Sequence, residues 1–162
     1  MIDVVVDKKK EHGSLADNIQ PMHLTLKDAS DLGEASFDLV FATMTLHHIK
    51  DAQNTIKLLS DCLRPGGTLV IADLLRTEET HLFHTKIQNE TDVKHPRGFD
   101  LEELTEWHHS AGMKWTGYRT MDHVKDVSED GNPPKMTKVF PVFVSTAVKL
   151  AVPSKKIPTK LL

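Results

Sequence analysis

Two apolar runs of strand length, Phe37–Met44 and Thr68–Leu74, flank one helix-patterned segment, and this arrangement limits the folds open to the chain. Each run is nearly continuous rather than alternating, the pattern of a strand buried on both faces. Between them Asp51 can cap a helix running to about Leu63, with Ala52, Ile56, Leu59 and Leu63 forming one apolar stripe. Arg64-Pro-Gly-Gly67 then stops the helix and turns the chain. Strand, helix and strand with short joins predict a βαβ unit whose strands are parallel, and hence an α/β fold.

The flanking segments extend this frame. Met1 to about His12 reads as a short helix, Ile19–Leu24 as a short strand, and Lys27–Ser36 as a polar loop with Gly33. Glu78–Glu90 has helical apolar spacing at Leu82, Phe83 and Ile87. Asp100 opens a helix over about 101–111, with Glu103 in position for a capping box and Gly112 at its end. Leu104 and Trp107 are its expected buried face. Lys114–Thr120 and Lys138–Leu150 read as strands, and the long polar loop between them suits an antiparallel closing pair. Residues 1–150 form one domain on this reading, and 151–162 a C-terminal tail.

Composition narrows the function. A chain of 162 residues with 39% hydrophobic and 27% charged residues matches one soluble globular domain. The formal net charge of −3 supplies no basic field, so neither nucleic acid nor an acidic membrane is an expected partner. No segment approaches the ~18 consecutive apolar residues of a membrane span, and the N-terminus lacks a signal-peptide pattern, so the cytosol is the expected compartment. Cys62 is the single cysteine; it lies on the apolar side of a predicted helix and reads as a buried small hydrophobe. The pairs His81/His84 and His108/His109 have no acids and histidines around them at ligand spacing, and no metal site is expected.

The series Phe37-Asp-Leu-Val, Leu46-His-His-Ile49, an amphipathic helix, Leu63-Arg-Pro-Gly-Gly67 and a second buried strand is a specific combination. It resembles the central part of the class I S-adenosylmethionine-dependent methyltransferases, in particular small-molecule methyltransferases with a Leu-His-His-Ile element. His95-Pro-Arg-Gly-Phe-Asp100 and Val139-Phe-Pro-Val-Phe143 add to the likeness, which runs from about residue 1 to 150. The resemblance implies a Rossmann-like sheet of order 3-2-1-4-5-7-6 with the last strand antiparallel, and ligands above the carboxyl ends of the strands. Phe37–Met44 is then the fourth strand and Thr68–Leu74 the fifth.

On this alignment the first two strands, with the glycine-rich turn and the ribose-binding acid, lie upstream of Met1, so the chain reads as N-terminally truncated. It contains no Gly-x-Gly. The expected remaining order is 3-4-5-7-6, with self-association through the exposed fourth strand. Loss of a few charge-assisted hydrogen bonds, at roughly 1.5–3 kcal/mol each, would remove most of the roughly −8 kcal/mol of a micromolar cofactor. Weak S-adenosylmethionine binding follows as an expectation. For the adenine the resemblance offers Thr25 with Leu26, or Asp28 with Ala29. Ala42, Thr43 and Met44 would line the cofactor pocket. His47 and His48 follow where a small-molecule acceptor approaches the methyl group, and either imidazole can take the acceptor's proton; His81, His84 and His95 are candidates for the pocket border. The alternative is a non-catalytic remnant or binding module that has lost cofactor binding.

Overall fold

The computed structural model describes residues 19–20, 22, 25, 27–84, 92–127 and 136–151. The expected helix over 1–12, the second half of the helix expected over 78–90 and the tail from Pro153 lie outside the described residues. So does much of the strand expected at Ile19–Leu24; Ile19, Gln20 and Met22 are described, and none belongs to a strand.

Four strands form one sheet: β1 (Phe37–Thr43), β2 (Leu63–Leu74), β3 (Met113–Asp126) and β4 (Thr137–Lys149), in spatial order β1-β2-β4-β3. β1 and β2 are parallel, while β4 runs antiparallel to both β2 and β3. This is the expected 4-5-7-6 order with the last strand reversed. The position of the third strand falls on the segment that is only partly described.

Helix α1 (Ala52–Cys62) carries β1 into β2, and α2 (Leu101–Ser110) precedes β3. Asp51 caps α1 as its position predicts, accepting from the Asn54 amide at 3.0 Å. Ala52 and Ile56 are fully buried, and Cys62 with them. Asp100 caps α2 by accepting from the Glu102 amide at 2.9 Å. The expected capping box does not form there, because the Glu103 carboxylate pairs with the Arg76 guanidinium at 3.0 Å instead. Leu104 is buried, and Trp107 packs half-buried against the same core.

Both helices lie on one face of the sheet. The main core there joins Ile56 and Leu104 to Leu69, Ile71 and Phe143 from β2 and β4, with Phe99 and Met113 closing it. A smaller cluster of Leu74, Phe83, Val127, Phe140 and Val142 sits beyond the carboxyl end of β2.

Two strand expectations are corrected. β2 does not start at Thr68 after a turn; it begins at Leu63, and 64–67 form an irregular extended stretch where the pairing with β1 slips. Gly67 makes this possible, since a Cβ there would lie 2.9 Å from the Phe37 carbonyl oxygen. β1 is also not buried on both faces. Leu39 and Phe41 are 54% and 69% exposed, because the residues packed on their side of the sheet, Leu82 and Phe83 among them, gather around Ala72 and Leu74 at the carboxyl end of β2. No helix among the described residues is long and apolar enough to cross a membrane.

Candidate functional site at the carboxyl ends of β1 and β2

The strand β1 ends abruptly. Met44 takes a left-handed conformation, with φ of +47°, which costs a non-glycine residue about 1–2 kcal/mol. The bend is held by the Met44 amide, which donates to the Ala72 carbonyl at 2.8 Å, and by Thr45 Oγ1, which donates to the Thr43 carbonyl at 2.7 Å. It folds the chain back as a short 3-10 turn, Leu46–His48, against the end of β2.

There the turn meets Asp73, which is fully buried. Asp73 Oδ2 accepts from the amides of Leu46 (2.8 Å) and His47 (3.3 Å). Its Oδ1 accepts from the Leu74 amide at 2.7 Å and from His47 Nδ1 at 2.5 Å. A carboxylate can compensate several donors at once, so one side chain caps the turn and orients the imidazole. His47 is 1% exposed, and its Nε2 is buried with no partner. With the proton of Nδ1 directed at Asp73, the lone pair of the neutral ring sits on Nε2.

A second segment straps the turn from outside. The Lys94 and His95 amides both donate to the His47 carbonyl at 2.9 Å. His48 Nδ1 donates to the Asp92 carbonyl at 2.9 Å, and His95 Nε2 to the Ile49 carbonyl at 3.1 Å. The strap reaches β2 through Gly98, whose φ is +69° and whose position would set a Cβ 2.5 Å from the Leu74 carbonyl oxygen. Only glycine allows that approach.

The third wall is the short 3-10 segment Thr80–His84. It sets the His84 ring 4.9 Å from that of His47 and 5.2 Å from that of His48. His84 Nε2 is likewise buried without a partner. Burial, reinforced by the nearby Lys125 ammonium and the neighbouring imidazoles, pushes His84 down to about 4, so its imidazole is neutral near pH 7. One ring nitrogen from each of His47, His48 and His84 lies within 4.8 Å of the other two.

The remaining candidate residues separate. Thr25 and Ala42 line one largely apolar cavity of about 380 Å³, together with Thr45, Leu46, Ile49 and Leu59. Asp28 does not line it. Its carboxylate accepts from the Ser30 amide and hydroxyl, which lower its pKa, and it caps the turn Ala29–Asp31. Ala29 is buried, its carbonyl facing Cys62. Thr43 is exposed, Met44 packs on the smaller core cluster beside Ala72 and Leu82, and Leu26 is outside the described residues. His81 is exposed, away from the inward side of its segment. The largely apolar cavity, with Thr25, Thr45 and Thr55 in its lining, fits the flat end of a nucleoside cofactor, whereas the chain has no Gly-x-Gly turn to receive the amino-acid end.

Asp73 and the Asp92 carbonyl were not foreseeable as site groups from linear spacing. The available signal was an acid at the last positions of an otherwise apolar strand, where a charge is costly unless it is paired. His84 has no such signal; only the fold brings it to the pair.

Comparison with known proteins places this geometry among relatives. The sequence pattern of the methyltransferase-domain family matches residues 3–116. An uncharacterized methyltransferase of Schizosaccharomyces pombe is 30% identical over 112 residues, covering 64% of this chain and 39% of that protein. The 27-O-demethylrifamycin SV methyltransferase of Amycolatopsis mediterranei is 35% identical over 72 residues, covering 43% of this chain and 26% of that protein. The chain thus spans less than half the length of these relatives. Among solved structures, the YcgJ protein of Bacillus subtilis superposes with a TM-score of 0.69 at 13% identity, covering 94% of this chain and 79% of that one, a likeness of fold.

Proposed function

We propose, from the premise that the chain belongs to the class I S-adenosylmethionine-dependent methyltransferase family, that His47 is the general base of methyl transfer to a hydroxyl of a small molecule. The observation that carries this reading is the buried His47–Asp73 pair, with Nε2 left unpartnered at the site. When bound, S-adenosylmethionine supplies the methyl group as an electrophile. The chain's own residues handle the proton. With the cofactor in place, an acceptor O–H set against His47 Nε2 would give up its proton as the oxygen electron pair bonds the methyl carbon. The carbon–sulfur bond breaks in the same step, its electrons leaving on the neutral thioether. The imidazolium so formed is stabilised by the Asp73 carboxylate on its other nitrogen. The 27-O-demethylrifamycin SV relative supports an oxygen acceptor of natural-product size.

Thr25 and Ala42 hold the flat end of the cofactor in the 380 Å³ cavity, and His48 borders the acceptor. Without a glycine-rich turn in this sequence, cofactor affinity for the chain alone falls towards millimolar. The setting is the cytosol, with no nucleic acid or membrane partner.

Transfer of a labelled methyl group from S-adenosylmethionine to a panel of phenols and aliphatic alcohols tests the reading. His47→Gln is expected to lower kcat/KM about 100-fold or more, the usual contribution of a positioned base. Unchanged transfer by that variant would reduce the site to positioning alone. Calorimetric titration with the cofactor addresses the affinity, and a dissociation constant in the low micromolar range would refute the weak-binding part. No transfer by a chain that binds the cofactor tightly would favour a binding module.

A further inference from the structure

We propose that His47, His48 and His84 form a site for a divalent zinc-class cation. The inference goes beyond methyl transfer and does not depend on it.

The three ligands come from the turn after β1 and the segment after β2, so no motif spacing marks them in the sequence. In space one nitrogen from each lies within 4.8 Å of the others. A tetrahedral zinc ion with Zn–N distances of about 2.0–2.1 Å sets its ligands about 3.4 Å apart. The widest pair therefore closes by roughly 1.4 Å, a movement of side-chain scale.

The outer hydrogen bonds are already of the metal-site kind. A histidine ligand ordinarily donates its second ring N–H to a carboxylate or a backbone carbonyl, which fixes the tautomer and aims the other nitrogen at the metal. His47 does this to Asp73 at 2.5 Å, and His48 to the Asp92 carbonyl at 2.9 Å. Because a carbonyl oxygen only accepts, the His48 proton resides on Nδ1 and its lone pair on Nε2.

Two nitrogens in the cluster are also short of a partner. His47 Nε2 and His84 Nε2 are both buried with no hydrogen bond. A buried ring nitrogen without a partner is costly, and a cation bound by the lone pairs of both rings compensates both at once. Three imidazoles select late first-row ions over magnesium or calcium and leave a fourth position for water or an acceptor oxygen. Occupancy engages His47 Nε2, so a bound ion and the proton-accepting role exclude each other.

Titration of the purified chain with Co2+ gives a readout independent of activity. The expected result is the intense visible d–d absorption of a tetrahedral Co2+ complex at one equivalent, displaced by Zn2+. His48→Gln and His84→Gln should each weaken binding about 10-fold or more, as should Asp73→Asn through the outer hydrogen bond. His109→Gln, an exposed histidine on α2, should leave it unchanged. His48 is exposed, so its variant keeps the fold, as circular dichroism can verify. Absence of the Co2+ spectrum, or binding equally strong in the His48 and His84 variants, overturns the site. Loss of methyl transfer in His47→Gln with no Co2+ binding in the parent chain would sink this proposal and leave the base intact. The converse result would sink the base alone.

Discussion

The two faces of the sheet use the same strands to different ends. On one, Val40, Leu69, Ile71 and Phe143 pack beneath α1 and α2, and the residues at its centre are wholly buried. On the other, Leu39 and Phe41 of β1 and Met121 of β3 are exposed. The alternation within β1 makes the contrast sharp, because Val40 and Phe41 are neighbours in sequence and opposites in environment. The helix-covered face is completed by residues within the chain. On the opposite face the side chains of Leu39 and Phe41 are left uncovered by any described residue.

Five measurements press on that contrast. Ile56→Ala, on the covered face, should cost about 2–5 kcal/mol by loss of burial and creation of a cavity, read from denaturant unfolding. Next comes acid. His108 is buried under α2, its Nδ1 donating to the Leu104 carbonyl at 2.6 Å and its Nε2 without a partner. Burial holds its pKa below the ordinary 6.5, so between the two values the unfolded chain binds a proton that the folded chain refuses. Stability should be fully present above 6.5 and decline as pH falls below it, and urea midpoints at about pH 7.5 and about pH 5 should differ less in His108→Leu than in the parent. A stability that rises with acidification would contradict the burial of this ring.

Asp100→Ala should cost about 1 kcal/mol, since it removes the cap of α2 and little else. Smallest is Phe41→Ser, expected within about 0.5 kcal/mol of the parent in dilute solution. A loss comparable to that of Ile56→Ala would mean that the second face is covered after all. Self-association through β1 is the specific form of such cover proposed for this chain, given an apolar strand with no described neighbour on its outer edge. Sedimentation velocity over a range of concentrations should then show dimers or larger species, reduced by Phe41→Lys. A monodisperse monomer at high concentration would remove the proposal.

What was legible in the sequence was local or repetitive. The helix at 52–62 follows from a cap and a stripe that lie within four turns of each other, and its limits come within a residue of expectation. The order of the four strands follows from the family resemblance, since no periodicity specifies which strand pairs with which. The exposed side of β1 was hidden because Phe37–Met44 reads the same whether or not something covers it. Glu103 shows a local pattern losing to a distant partner: the capping-box spacing is present, but Arg76, 27 residues away, takes the carboxylate. The site was half visible. His47 and His48 stand out as a pair, whereas the acid that orients His47 lies 26 residues downstream and is chosen by the pairing of two strands.

The strap over the histidine turn has a consequence for how that turn breathes. Two amide protons, those of Lys94 and His95, rest on the single carbonyl oxygen of His47. Neither can reach solvent deuterium by that route without the oxygen releasing it, and release of both accompanies any departure of the turn from the strap. Their exchange should therefore be correlated, with similar opening free energies and a common response to denaturant, while amides at the exposed end of the strap exchange freely. The two residues act as a paired clock on the opening of the loop that carries His47. Their slowing by an added ligand would report occupancy of the pocket with no chemistry needing to occur.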